Sequence, residues 1–256
     1  MDPSPMVKLA QQDPFVATIQ GEGDYVGEPA VFIRLFGCTT MCSWCDTKYA
    51  WQEGHGYFEL MPDDIVKTVN RDFPNIRHIV LTGGNPYVQG EKMPRMAFML
   101  SQPSHPNSRL RRHVSIETEG SIYYDKLSHS VSSITLSPKL WCWPDKVIAM
   151  FYAHHYQKIT TKIVVGSKDD VSEAIDKLLE IHTLYSVGDT GGMNYILQPK
   201  AVVPSEFSTQ ESTAVYIEQV SMQVVDWVLD YISMLDKPLP FRLRVIPQVH
   251  RLLGLP

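Results

Sequence analysis

The sequence predicts an α/β fold built mainly on parallel strands. Two observations carry that prediction: short, β-rich apolar runs recur along the 256 residues, and amphipathic helical patterns lie between several of them. A third supports it. The unusual polar motifs fall just after strands, where parallel α/β folds gather their ligands. Strands are expected at Val31–Leu35, His78–Leu81, Val114–Glu117, Ser133–Leu136, Lys162–Val165, Tyr195–Leu197 and Leu243–Ile246. Helices are expected in MPDDIVKTVNRDF, with Ile65, Val66 and Val69 on one face, and in KDDVSEAIDKLLEIHTLY, with Val171, Ile175, Leu178, Leu179 and His182 on one face. The longest helical stretch is STAVYIEQVSMQVVDWVLDYISML. The connections after the third and fourth strands are short, so some crossover helices are expected to be abbreviated. No repeat, low-complexity tract or long linker divides the chain, and residues 1–256 are read as a single domain.

Composition bounds the function. Hydrophobic residues make up 44% and charged residues 20%, the balance of a soluble globular protein. A net charge of -5 argues against a general nucleic-acid binder, which needs a basic surface. The densest basic stretch, RLRRH from Arg109 to His113, is expected to be a solvated loop. The N-terminal MDPSPMVKLAQQDP has neither the basic nor the apolar region of a signal peptide, and no 18-residue apolar run is present. A cytoplasmic location without membrane contact is expected. In that compartment four cysteines read as reduced thiols, three of them clustered for a metal, rather than as a disulfide framework.

The motifs follow the strands in order. The cysteine loop FGCTTMCSWCDT comes after the first, TGGNP after the second, TEGS after the third, SPK after the fourth, GSKDD after the fifth, QPK after the sixth and PQVH after the seventh. Cys38, Cys42 and Cys45 are spaced C-x3-C-x2-C. A structural zinc would want a fourth ligand, which His55 or Cys142 could supply. A cubane [4Fe–4S] cluster usually takes four thiolates. With three, one iron stays open, and the amino and carboxylate groups of S-adenosylmethionine can chelate it. The spacing, with Trp44 before the last cysteine, resembles the radical S-adenosylmethionine superfamily signature. Gly83 and Gly84 after a strand allow close backbone approach to a ligand, or simply a tight turn. Asn85 stands where the commoner superfamily motif has glutamate, and its amide oxygen can accept a hydrogen bond without adding charge.

The flanks narrow the resemblance. IQGEGDYVGEPAVFIRLFGCTTMCSWCDTKYAW is similar to the N-terminal signature of the 7-carboxy-7-deazaguanine synthase (QueE) family. TGGNP, IETEGS, LSPK, KIVV, LQP and the closing PQVHRLLGLP follow in that family's order. The resemblance covers about Phe15 to Pro256. It implies a partial, open parallel β/α barrel of the radical S-adenosylmethionine type. It also implies conversion of 6-carboxy-5,6,7,8-tetrahydropterin to 7-carboxy-7-deazaguanine and ammonia by radical ring contraction, in 7-deazaguanine and queuosine biosynthesis. An adenosyl radical would take a hydrogen from C6 of the substrate and later return it, with Mg2+ assisting the rearrangement. The implied partners are a pterin substrate, an electron donor such as flavodoxin or ferredoxin, and a second copy in a homodimer. Two other readings stand beside it: another radical enzyme, such as a glycyl-radical activase, and a zinc-binding module without activity.

The resemblance also implies residue roles. Cys38, Cys42 and Cys45 hold the cluster. Trp44, Cys45, Asp46, Gly84, Glu117, Ser137, Pro138, Lys139 and Gln198 face S-adenosylmethionine. Thr47 supplies a hard oxygen to Mg2+, where spacing alone would make it a helix cap or turn residue. Ile19, Gln20, Gly21, Glu22, Arg34, Thr82, His250 and Pro256 face the substrate. Arg34 is informative from its own surroundings, because VFIRLF would bury an unpaired charge at a cost. From the residues it is open between a structural salt bridge and a bidentate carboxylate clamp. His250, without the resemblance, reads better as a satisfied surface histidine. Pro256 would offer the terminal carboxylate to the guanidine-like edge of a pterin. Cys142 in KLWCWP is expected to be a small buried hydrophobe, with Trp141 and Trp143 as core or interface aromatics.

Overall fold

The computed structural model describes residues 6–105, 110–186, 193–207 and 209–255. Its backbone divides into two compact units. One is built from the chain up to Thr18 and from Glu28 to Thr135, the other from Ile19–Gly27 and from Leu136 onward.

In the first unit, β1 (Val7–Ala10), β2 (Phe15–Ile19) and β3 (Pro29–Leu35) are followed, after the cysteine loop, by β4 (Tyr57–Leu60). Then come α1 (Pro62–Asp72), β5 (His78–Gly83), α2 (Met93–Leu100), β6 (His113–Thr118), α3 (Asp125–Ser130) and β7 (Ser133–Leu136). β3, β5 and β6 pair in parallel, with Arg34 opposite Thr82 and Leu81 opposite Ile116. Four consecutive residues of β5, His78–Leu81, are buried, as in a strand covered on both faces. α1 buries Ile65, Val66 and Val69 as the periodicity predicts. Pro62 opens it, and Asp63 and Asp64 face its positive end. β1, β2 and β4 are additions that the sequence does not announce. β1 runs antiparallel to both β3 and β4, and β2 lies on β3. Each is only four or five residues long, too short to carry a clear period.

Two expectations about this unit need correction. Arg112, within the stretch expected to be solvated, is 4% exposed. It donates to Asn70 at 2.6 Å and to the Phe73 carbonyl at 3.0 Å, tying β6 to the end of α1. Arg109 lies outside the described residues. The expected shortening of crossover helices holds for α3, at six residues, but not after the fourth strand, where α4 (Asp145–His155) has eleven.

In the second unit α4 is followed by β8 (Ile159–Val165), α5 (Lys168–Tyr185), β9 (Asn194–Pro199), α6 (Gln210–Ser233), β10 (Leu243–Val245) and α7 (Val249–Leu252). β8, β9 and β10 are parallel, with Lys162 and Arg244 both opposite Ile196. Ser167 caps α5, its hydroxyl accepting from the Asp170 N–H at 3.1 Å. α5 buries Val171, Ala174, Ile175, Leu178 and Ile181. The inner face is therefore turned slightly from the expected one: Leu179 and His182 are only half-buried, and Ala174 and Ile181 take their place. A reciprocal Thr209–Ser212 capping box starts the 24-residue α6. Cys142 is exposed, so it is not the buried hydrophobe expected, and Trp141, 58% exposed, lies outside the core, which leaves its interface alternative. Both sit on a short 3-10 turn, Leu140–Cys142, none of whose residues is buried.

Candidate active site

The cysteine loop leaves the end of β3, and the Gly37 N–H returns to the Ala50 carbonyl at 2.8 Å, closing the loop on itself. The thiols within it are outside any disulfide, Cys42 buried and Cys38 and Cys45 half-buried. Polar groups lie around the sulfurs. The Trp51 indole N–H donates to Cys45 Sγ at 3.4 Å, the Cys42 thiol donates to the Thr40 hydroxyl oxygen at 3.8 Å, and the same hydroxyl lies 3.5 Å from Cys38 Sγ. Trp44 is half-buried and Asp46 exposed. Thr47 precedes the 3-10 turn Lys48–Ala50, but its side chain makes no capping bond. Its hydroxyl has only long contacts, 3.5 Å to Cys45 Sγ, 3.3 Å to Asp46 Oδ1 and 3.4 Å to the Gly83 carbonyl.

The loop is held from two sides. The Gly84 N–H donates to the Leu35 carbonyl at 2.9 Å and the Asn85 N–H to the Gly37 carbonyl at 2.7 Å. A Cβ on Gly84 would overlap the Gly37 carbonyl, and one on Gly83, whose φ is +107°, would overlap Leu35 backbone. The close approach these glycines permit is thus to the root of the cysteine loop. Asn85 is fully buried. Its Oδ1 accepts from the Tyr87 N–H at 3.1 Å and the Thr118 hydroxyl at 3.0 Å, so the amide oxygen is spent inside the protein. On the other side, the Thr39 hydroxyl donates to the Glu119 carboxylate. Glu119 is 7% exposed and also accepts from the Ser121 N–H and hydroxyl, both at 2.8 Å.

β3, β5 and β6 present a polar row. Arg34 lies opposite Thr82, and the Thr82 hydroxyl donates to Glu117 Oε2 at 2.6 Å. Arg34 Nη1 donates to the Tyr49 hydroxyl. Arg34 Nε is buried without a hydrogen-bond partner. Such an orphan donor is costly unless something is bound there. No acidic side chain among the described residues pairs with Arg34, which disfavours the structural salt bridge.

In the second unit the segment Ile19–Glu22 carries a buried network. Glu22 accepts from Lys162, from Gln248 at 2.7 Å and from Gln198 at 3.1 Å. Two expected roles therefore meet, since Gln198 on the cofactor motif bonds Glu22 on the substrate motif. Burial would raise the Glu22 carboxyl pKa. The charge of Lys162, then that of His250, and hydrogen bonds from Lys162 and Gln248 outweigh it, bringing it down to about 2. Asp24 accepts from Arg244, from Thr160 and from Asn194 at 3.1 Å, tying the same segment to β8, β9 and β10. His250 packs on Gly21, where a Cβ would overlap its ring, and the Val249 N–H donates to the Gly21 carbonyl at 3.0 Å. Ser137 and Pro138 are buried, and Lys139 donates to the Ser137 hydroxyl at 3.1 Å. Pro256 lies outside the described residues.

Sequence reasoning missed Tyr49, Glu119, Asp24 and Lys162. Lys162 carried the same signal as Arg34, a charge in an apolar strand. The others stand in polar loop segments, where a tyrosine or a carboxylate is not anomalous.

The three thiols of one loop, the polar groups around them and the glycine strap fit a cubane cluster held by three cysteines. The model of the Radical SAM superfamily matches residues 32–187. The 7-carboxy-7-deazaguanine synthase of Pyrobaculum aerophilum is 33% identical over 176 residues, 68% of this chain and 73% of that protein. The Bacillus cereus enzyme of the same name is 34% identical over 137 residues, 52% of this chain and about half, 54%, of its own length. The crystal structure of QueE from Escherichia coli superposes with a TM-score of 0.57 at 22% identity, covering 96% of this chain and 95% of that one. That likeness shows the fold, the open parallel β/α barrel of the radical S-adenosylmethionine type. The chain belongs to the radical S-adenosylmethionine superfamily and, within it, to the 7-carboxy-7-deazaguanine synthase family. It is a radical enzyme of that family rather than a glycyl-radical activase or a zinc module. A [4Fe–4S] cluster and S-adenosylmethionine are the cofactors this membership implies. Among the described residues no helix is long and apolar enough to cross a membrane.

Proposed function

We propose that residues 1–256 act as a single radical S-adenosylmethionine domain that converts 6-carboxy-5,6,7,8-tetrahydropterin to 7-carboxy-7-deazaguanine and ammonia. The observation that carries this is the loop after β3, with three thiols outside any disulfide, polar groups around their sulfurs and the Gly83–Gly84 strap at its root. The span of the family match, residues 32–187, supports treating the chain as one domain.

Cys38, Cys42 and Cys45 would hold the cluster. When bound, the cluster and S-adenosylmethionine supply the one-electron chemistry directed at C6 of the pterin. Trp44, Asp46, Gly84, Glu117, Ser137, Pro138, Lys139 and Gln198 would seat S-adenosylmethionine. Thr47 would offer Mg2+ its hydroxyl, which no helix cap consumes. Arg34 would bind the substrate carboxylate through the edge left open by its orphan Nε, with Tyr49 steadying the other end. Gln20, Gly21, Glu22, Thr82 and His250, with Ile19, would line the pterin. The same proposal includes a homodimer, a flavodoxin- or ferredoxin-type donor and a cytoplasmic setting.

Anaerobic reconstitution tests it. About four irons and four sulfides per chain are expected, as for one cubane, together with product and ammonia from the tetrahydropterin. Cys42→Ser is expected to lose the cluster and the activity together. Zinc without sulfide in the wild-type protein, or a loaded cluster inert towards the tetrahydropterin, would defeat the proposal.

A further inference from the structure

We propose that Lys162 is a positioning residue, holding Glu22 as an oriented carboxylate with one acceptor direction left for an N–H of the substrate. This rests on the function proposed above and adds to it a residue that has had no role.

Lys162 lies in β8, a strand whose residues are all buried except Val164. Its side chain is 8% exposed and that of Glu22 is 14% exposed. An isolated ammonium there would be prohibitive, and its ion pair with Glu22 Oε2 relieves that cost. Oε1 takes two amide N–H donors, from Gln248 at 2.7 Å and Gln198 at 3.1 Å. The Glu22 N–H in turn donates to Gln20 Oε1 at 3.1 Å. A carboxylate offers about four acceptor directions. Three are filled by residues of this unit, and the fourth, on Oε2, is open among the described residues. With a substrate N–H in the open direction, all four contacts come from donors and require the ionised form, since a protonated carboxyl would turn a hydrogen towards a group that also donates. Stability alone does not account for the pair, because a buried ion pair is commonly no better than two well-packed apolar side chains. Anchoring Glu22 also fixes the Gly21 backbone on which His250 sits.

The test is anaerobic equilibrium binding of the tetrahydropterin to cluster-loaded protein with S-adenosylmethionine present, across pH. Lys162→Met is expected to weaken the Kd roughly tenfold to a hundredfold, the worth of one charged hydrogen bond. It is also expected to make binding pH-dependent, tightening as pH rises, because Glu22 freed from the lysine charge titrates higher. Lys162→Arg is expected to retain most of the affinity. Lys162→Met in a Glu22→Gln background removes both charges and so leaves no buried charge unpaired. It should bind no more weakly than Glu22→Gln alone. Unchanged affinity and a flat pH profile in Lys162→Met would overturn the proposal, as would a double variant roughly tenfold weaker than Glu22→Gln. Wild-type protein that fails to bind the pterin would instead overturn the proposed function and this inference with it.

Discussion

Gly84→Ala places a methyl group where the Gly37 carbonyl already lies. Relief requires the two backbones to separate, yet they are joined by the Gly84–Leu35 and Asn85–Gly37 bonds at 2.9 and 2.7 Å. Losing both costs about 1 kcal/mol each, and overpacking adds about 1–3 kcal/mol. The expected penalty is therefore about 3–5 kcal/mol. Gly54 is the control. Its φ is +90° with nothing near a built Cβ, so Gly54→Ala should cost only the left-handed backbone, about 1–2 kcal/mol. Scanning calorimetry of the cluster-free proteins separates them. At roughly 2–4 °C per kcal/mol for a chain of this size, Gly84→Ala should melt roughly 6–20 °C lower and Gly54→Ala roughly 2–8 °C lower. If Gly84 were needed only for ligand approach, the cluster-free protein would be indifferent to the methyl group. A melting temperature no lower than that of Gly54→Ala would refute the backbone-contact explanation.

Two further predictions follow from buried groups. His78 is 2% exposed and bonded to Ser115 at 2.7 Å. Burial first, and then the neighbouring His113 charge, lower its pKa to about 4, so its 3.7 Å approach to Glu28 is not an ion pair at neutral pH. The unfolded chain takes that proton near pH 6.5. The contribution is thus whole above pH 6.5 and is lost as pH falls towards 4, by about 3 kcal/mol in all. Urea midpoints between pH 4 and 7 should follow this slope, and His78→Gln should flatten it; an unchanged slope in the variant would count against the assignment. On the functional side, Arg34→Met should raise the KM for the tetrahydropterin roughly tenfold to a hundredfold by removing charged hydrogen bonds. Arg34→Lys should not restore it, because an ammonium lacks the planar fork. Wild-type KM in Arg34→Lys would rule out the bidentate clamp.

The parallel strands were legible because burial on both faces demands unbroken apolar runs such as His78–Leu81, whatever lies around them. β1, β2 and β4 were not, because a short antiparallel strand on a neighbour's edge is selected by that neighbour. The cysteine spacing was legible for a covalent reason, since three ligands within eight residues share one loop. Asn85 shows the opposite case. Its amide suggested a ligand contact, and only Thr118, 33 positions away, reveals that the oxygen is used internally. Lys162 could be seen as anomalous in an apolar strand, but its partner lies 140 positions off.

By itself, then, the sequence determined where the parallel strands lie along the chain, the thiol loop and the family, because each is written in contiguous residues. Only the tertiary structure decided why Gly84 must be glycine, where the Arg34 guanidinium is left unsatisfied and which donors fill Glu22. Those are through-space pairings between buried polar groups. Their partners are chosen by packing, which brings distant positions within hydrogen-bond reach and makes any unmet donor or acceptor costly.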